Sequence, residues 1–176
     1  MDKELALEAL KKLDEKLTAA GLGKVTLVVG GGGSMVIQHG YQGMTVDIDA
    51  VPIDIDFEEL KPYMFEVSKE LKIAPDWLNP YYQTFTVSLP DDARSRMKTI
   101  FTGNSLIVKS LGAEDILIMK LMAKRNKDMG HIRHLLRMGL DLKIVEKRLE
   151  ELIKIYPDKA QKALDLFDEL TGKDHD

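Results

Sequence analysis

Apolar residues recur along this chain with more than one period, and the changes of period mark out its elements. Over residues 3–20, Leu5, Leu7, Ala9, Leu10, Leu13 and Leu17 fall near helical spacing with charges between them, and Gly21 and Gly23 close the segment. Val25–Val29 is a continuous β-branched run and predicts a buried strand. Ser34–His39 predicts a short helix stopped by Gly40 and Gly43, and Thr45–Val51 a second strand halted by Pro52. Helical spacing returns over Phe57–Leu71, opened by Asp56 and Glu59 in capping-box arrangement. Pro75–Pro80 predicts a turn or short helical segment carrying the chain's one tryptophan, Trp77.

Strands are then expected at Phe85–Leu89, Met97–Phe101 and Leu106–Leu111, the last two around Thr102-Gly103-Asn104. After Gly112 the pattern is helical throughout, over Ala113–Lys124, Asp128–Met138, Leu142–Tyr156 and Lys159–Leu170, with breaks at Arg125–Lys127, Gly139 and Pro157. The tail Lys173–Asp176 is expected to fray. The fold class is therefore α+β: a core over residues 1–111, followed by a C-terminal helical bundle over residues 112–176.

Composition narrows the function classes. The chain has 176 residues, 44% hydrophobic and 31% charged, which is ordinary for a globular protein. A net charge of −4 excludes a broadly basic nucleic-acid footprint, though not a local patch. With no cysteine there is neither a disulfide framework nor thiolate chemistry. The N-terminal stretch is charged throughout and no apolar run suffices to cross a bilayer, so the expected compartment is a bacterial- or archaeal-type cytosol, with no membrane partner.

The candidate chemistry lies mainly between Val25 and Ile53. A β-branched run enters four glycines, Gly30–Gly33, and Ser34; a short apolar segment follows, then Thr45, Asp47 and Asp49. Glycines let a backbone approach phosphates closely. Two carboxylates one residue apart on a strand share a face, and like charges so close call for a cation between them. A divalent metal with a triphosphate satisfies both features. The competing reading of the aspartates is a solvated face of an edge strand. For the glycines it is a mobile loop, with Ser34 as first helical residue capping its helix. The second acidic pair, Asp54 and Asp56, reads as structural because Asp56 opens a helix.

A third cluster is Lys120, Lys124, Lys127, Asp128 and His131, whose spacing would form one polar stripe on a continuous helix. Lysines beside a metal-triphosphate site stabilise developing phosphate charge. Against this stand a solvated face for Lys124 and a helix-capping role for Asp128. Lys120, between Met119 and Leu121, is less easily assigned to solvent. His131 and His134 have helical metal-ligand spacing without a visible third partner. Trp77 reads as a core or interface anchor, or as a stacking platform. Arg94, Arg96 and Lys98 read as a solvated loop, or as a contact for a nucleic-acid backbone.

The order strand, Gly32-Gly33-Ser34, short helix, Thr45-x-Asp47-x-Asp49 resembles the signature of the DNA polymerase β-like nucleotidyltransferase superfamily. The Lys120…Arg125-x-Lys127-Asp128 stretch looks like the minimal bacterial branch around AbiEii-type toxins. Trp77-Leu78-Asn79 is similar to a poorly characterised group within that branch. The resemblance implies a mixed β-sheet flanked by helices, Mg²⁺ (up to two ions) and transfer of a nucleotidyl group from an NTP. It implies that Gly32, Gly33 and Ser34 hold the triphosphate, with Thr45 in the same nucleotide-binding motif. It also implies that Asp47 and Asp49 are catalytic metal ligands, that Lys120 and Lys127 contact phosphate, and that Asp128 orients or deprotonates the acceptor.

The acceptor class stays open among tRNA, protein and small molecule, a toxin-like role is compatible, and so is an oligomer. Two departures stand out. Relatives supply a third carboxylate from a later strand, whereas Phe85–Leu89 has none and Asp91 and Asp92 follow Pro90. Relatives also carry Lys-Asp-x-x-Asp where this chain has His131. These departures support an alternative, a catalytically degenerate nucleotide-binding or antitoxin-like regulatory module. A purely structural helical interaction protein is the third reading.

Overall fold

Asp2 opens the first helix, α1 (Lys3–Ala19), by accepting from the backbone of Leu5 at 2.9 Å, and one face of α1 buries Ala6, Ala9, Leu10, Leu13 and Leu17 completely. The computed structural model to which this helix belongs describes residues 1–172, the side chains of residues 83–85 excepted. The expected tail Lys173–Asp176 lies outside the described residues. The chain forms two units, Met1–Gln83 with Met97–Leu111, and Thr84–Arg96 with Gly112–Asp176. Among the described residues no helix is long and apolar enough to cross a membrane.

The first unit is built on a five-stranded mixed sheet. Its strands are β1 (Val25–Val29), β2 (Ile48–Pro52), β3 (Leu78–Asn79), β4 (Lys98–Thr102) and β5 (Leu106–Ser110), in the order β3-β2-β1-β5-β4. β1 runs parallel to β5 and antiparallel to β2, which runs parallel to β3; β4 and β5 are antiparallel. The buried face of α1 and residues Leu60, Met64 and Val67 of α3 (Phe57–Leu71) share one core with Val25, Leu27, Val29, Ile48, Ala50, Leu106 and Val108. The capping box of Asp56 and Glu59 is present at the start of α3. Asp54 also has a structural task, since its Oδ2 accepts from Thr26 N at 2.8 Å.

One buried acid had no signal in the sequence. Asp14 of α1 is 7% exposed and receives the backbone N–H groups of Asn104, Ser105 and Leu106 at 3.1, 2.8 and 2.8 Å. It thus holds the turn between β4 and β5, and a side chain at Gly103 would strike its carboxylate. Three amide donors lose their partner in Asp14→Ala, so that variant should be destabilised by about 2–4 kcal/mol, measured by chemical denaturation. Asn at the same place should restore part of the loss.

Several boundaries differ from the sequence reading. The second helix, α2, spans Gly31–Ile37 instead of Ser34–His39. Helix propensity argues against glycines there, but a Cβ at Gly33 would lie 3.2 Å from Ile48 Cα, so glycine lets this turn pack against β2. β2 begins at Ile48, not Thr45, because Thr45 Oγ1 takes the carbonyl of Asp47 at 2.7 Å and ladder pairing starts with Ile48 N on Trp77 O. Pro52 closes the strand from inside it, and the next ladder bond is made by Ile53 N to Thr26 O at 2.9 Å. Within Pro75–Pro80, Leu78–Asn79 is a strand.

The expected strand Phe85–Leu89 is overturned: Tyr81–Ser88 is a 3₁₀-helix. The reason lies in the second unit, where Arg148 donates to the carbonyls of Val87, Ser88 and Leu89 at 3.2, 3.0 and 2.7 Å. A guanidinium, rather than a neighbouring strand, satisfies that backbone. The second unit also holds α4 (Ala93–Arg96), α5 (Ala113–Ala123), α6 (Met129–Leu136), α7 (Leu142–Ile153) and α8 (Pro157–Thr171). α5 is buried nearly all round and packs against α6, α7 and α8. The expected break at Pro157 falls over residues 154–156, and Pro157 is the first residue of α8, where its missing N–H costs no helix bond.

Candidate functional site

Alternation along β2 turns Ile48 and Ala50 into the core, both fully buried, and leaves Asp49 half-buried on the opposite face. Asp49 lies directly against the opening of α2. An added Cβ at Gly31 would sit 2.0 Å from Asp49 Oδ2, and one at Gly32 would sit 2.8 Å from Thr45 Oγ1. Gly31 also has φ of +55°, a left-handed conformation that favours glycine. Gly30 N closes the corner by donating to Asp49 O at 2.9 Å. The glycine run and the acidic strand are thus one packed unit, and neither is a mobile loop.

Asp47 stands just before β2 and is held from the other side. Asn79 Nδ2 donates to Asp47 Oδ2 at 2.8 Å, and Asn79 Oδ1 accepts from Tyr81 N at 3.0 Å. Asn79 pairs in register with Asp49 across the β2–β3 ladder. Tyr82 completes the surroundings: its ring lies over Gly30, 3.0 Å from where a Cβ would be, and its hydroxyl donates to Val28 O at 2.7 Å. Burial pushes the Tyr82 phenol well above its ordinary pKa, and the charge of Asp49 adds to the shift. Sequence reasoning missed the roles of Asn79 and Tyr82. The one available signal was the position of Asn79 two residues after the tryptophan.

Ser34 differs from its expected setting. It is the fourth residue of α2, fully buried, with Oγ 2.5 Å from Ser110 Oγ. Ser110 Oγ donates on to Leu111 O at 3.1 Å, and His39 Nε2 donates to the same carbonyl at 3.0 Å. Its hydroxyl therefore joins α2 to the end of β5 and does not cap the helix.

The lysine stripe does not lie on one helix. α5 ends at Ala123, Lys124 adopts a left-handed conformation, and a 3₁₀ turn over Asn126–Asp128 leads into α6. Lys120 and Asp128, 3% and 2% exposed, pair at 2.7 Å, and Arg125 Nε reaches the other carboxylate oxygen at 2.7 Å. His131 Nδ1 lies 3.7 Å from Asp128 Oδ1. Burial opposes the charge on Asp128, but the nearby His131 imidazole and the hydrogen bonds from Lys120 and Arg125 overcome it and hold the carboxyl far below the ordinary range. The Asp128 carboxylate makes no capping bond to α6. Lys127, on the same turn, is exposed.

The weaker candidates resolve into structural parts. Trp77 is fully buried, with its indole N–H on Met64 O at 3.1 Å, and is a core anchor. Arg96 is not a solvated cation: it makes a two-pronged pair with buried Asp115 at 3.0 and 2.7 Å and a third bond to Asp92 at 2.8 Å.

The carboxylates of Asp47 and Asp49 offer oxygen donors alone, which would suit Mg²⁺, an ion commonly held by one or two carboxylates with phosphate oxygens and water completing its shell. Among the described residues no three His, Asp or Glu side chains are grouped to hold an ion. The residues present fit an ion whose remaining ligands arrive with a substrate. Against known proteins, residues 8–169 match the family described as nucleotidyltransferase of unknown function (DUF6036). Neither a curated protein nor a solved structure matches the chain.

Proposed function

This chain belongs to that nucleotidyltransferase family, and on that premise we propose that it moves a nucleotidyl group from an NTP to an acceptor, with Mg²⁺ held by Asp47 and Asp49. The observation that carries the reading is Asp49 lodged against Gly31, with Thr45 against Gly32. Lacking side chains, Gly31–Gly33 close on Asp49, Thr45 and Ile48, which sets the acidic pair against the backbone proposed to meet a triphosphate. Gly32 and Gly33 are its proposed contacts, bordered by Thr45; Ser34 contributes backbone, since its hydroxyl is engaged by Ser110. When bound, Mg²⁺ neutralises charge on the triphosphate and on the oxygens entering and leaving phosphorus. An acceptor hydroxyl, its proton passing to solvent, or a phosphate oxygen forms a bond to the α-phosphorus while the bond to the α–β bridging oxygen breaks, and pyrophosphate leaves.

In the second unit, Lys127 is exposed and Lys120 holds Asp128 in place. Asp128, buried with its two oxygens on Lys120 and Arg125, is assigned to holding those cations. The Lys120–Asp128 stretch is the basis for inferring kinship with the AbiEii-like branch and a toxin-like role, with tRNA, protein or a small molecule as acceptor.

The test is transfer of label from α-labelled NTPs to acceptor panels. Label should appear with the wild type and drop by at least about 10²–10³-fold in Asp47→Ala and Asp49→Ala; unchanged labelling would reject the assignment. A second reading, binding without turnover, is favoured by the pairing of Ser34 with Ser110 and of Lys120 with Asp128. Calorimetry with Mg²⁺ and each NTP separates the two: saturable binding with no transfer to any acceptor supports the regulatory module.

A further inference from the structure

We propose that Asn79 is the positioning residue of the metal-binding pair, fixing Asp47 through a neutral donor so that the carboxylate keeps its full charge for the cation. The inference rests on the nucleotidyltransferase reading and goes beyond it by assigning a task to a residue outside the Gly-Ser and Asp-x-Asp motifs.

Three observations converge on it. Asn79 is 5% exposed, and its frame is rigid: Leu78 and Trp77 are buried beside it, Trp77 O accepts from Ile48 N at 2.7 Å, and the indole is anchored on Met64. Its amide has one permissible orientation. An ionised carboxylate only accepts and a backbone N–H only donates, so the NH₂ must face Asp47 and the oxygen must face Tyr81 N. Its charge state also suits the task. A lysine or arginine at this place would hold Asp47 equally well but cancel its charge and compete with a cation. An amide supplies direction without compensation, as the hydrogen-bonded partners of metal ligands do.

The same residue ties the site to the sheet. Asn79 is paired in register with Asp49 while its side chain bonds Asp47, so one two-residue strand controls the spacing of both carboxylates. Asp47 precedes β2 and its carbonyl is already taken by Thr45, so the Asn79 bond is what relates its carboxylate to the ladder.

The experiment titrates Mn²⁺ into the full chain and follows binding by calorimetry and by the paramagnetic resonance of the unbound ion. Asn79→Ala should weaken Mn²⁺ binding about 10–100-fold. Emission from Trp77, the chain's one tryptophan, should stay that of a buried indole. In the transfer assay, added Mg²⁺ should restore much of the rate in Asn79→Ala and none in Asp47→Ala. Should Asn79→Ala lose the buried-indole emission, Asn79→Ser takes its place: the hydroxyl can still accept from Tyr81 N but is too short to reach Asp47, and the same weakening is expected. Wild-type affinity in the folded variant overturns the proposal and leaves the carboxylate pair its role. Absence of Asp47-dependent Mn²⁺ binding in the wild type, both alone and with a non-hydrolysable NTP, overturns the metal reading, and this proposal with it.

Discussion

Gly31→Ala should abolish nucleotidyl transfer while leaving the chain folded. The added Cβ would fall 2.0 Å from Asp49 Oδ2 and 2.9 Å from its Cγ, distances that no real contact sustains. The obstruction is the far end of a side chain, so the cheapest relief is rotation of the Asp49 carboxylate away from the glycine corner. That motion removes the carboxylate from its proposed ligand position without unpacking the core behind β2. Holding alanine at φ of +55° adds about 1–2 kcal/mol of backbone strain. Loss of activity should therefore approach that of Asp49→Ala, on the order of 10²–10³-fold, against a modest fall in denaturation midpoint.

Gly33→Ala gives the contrasting outcome. Its Cβ would meet the backbone of Ile48 at 3.2 Å, so α2 and β2 must part by a few tenths of an ångström, and stability and activity should fall together. If Gly31→Ala transfers label at the wild-type rate, the corner between the glycines and Asp49 is packing alone.

The second large effect concerns stability. Lys120→Met strands the Asp128 carboxylate, 2% exposed, without its main cation, and removal of one partner of a buried ion pair costs about 3–5 kcal/mol. Arg125 and His131 soften the loss because both also face Asp128. Replacing both partners, Lys120→Met with Asp128→Leu, should recover much of it, since the unpaired charge is then gone. Chemical denaturation of the single and double variants gives the comparison.

The pair also sets an acid limit. The native pKa of Asp128 is depressed below the unfolded carboxylate value of about 3.9. Its contribution is therefore complete above that value and is lost as pH falls through the native one. In Asp128→Asn the decline of stability below about pH 4 should be shallower than in the wild type. An equally steep decline would show that other carboxylates govern acid unfolding.

The sequence by itself determined the residue classes and most elements. The spacing of apolar side chains in α1, α3, α7 and α8, the β-branched runs of β1 and β5, and the capping box at Asp56 all act within a few residues, so period and local chemistry suffice to find them. It also singled out the glycine run and the Asp47–Asp49 pair, because those residue types side by side fit few ordinary structural needs.

Tertiary structure decided what each side chain is set against. Glycines of poor helix propensity became the first turn of α2 because β2 runs too close for a Cβ. An alternating segment became a 3₁₀-helix because Arg148, some sixty residues later in the chain, takes its carbonyls. Lys120 and Asp128, eight residues apart, turned from members of a candidate phosphate-facing stripe into a buried pair because the chain breaks at Lys124. Asn79 came to rest on Asp47 only through the pairing of β2 with β3. These outcomes depend on the approach of backbones distant in sequence, where a few tenths of an ångström separate packing from overlap, and local period carries no record of that distance.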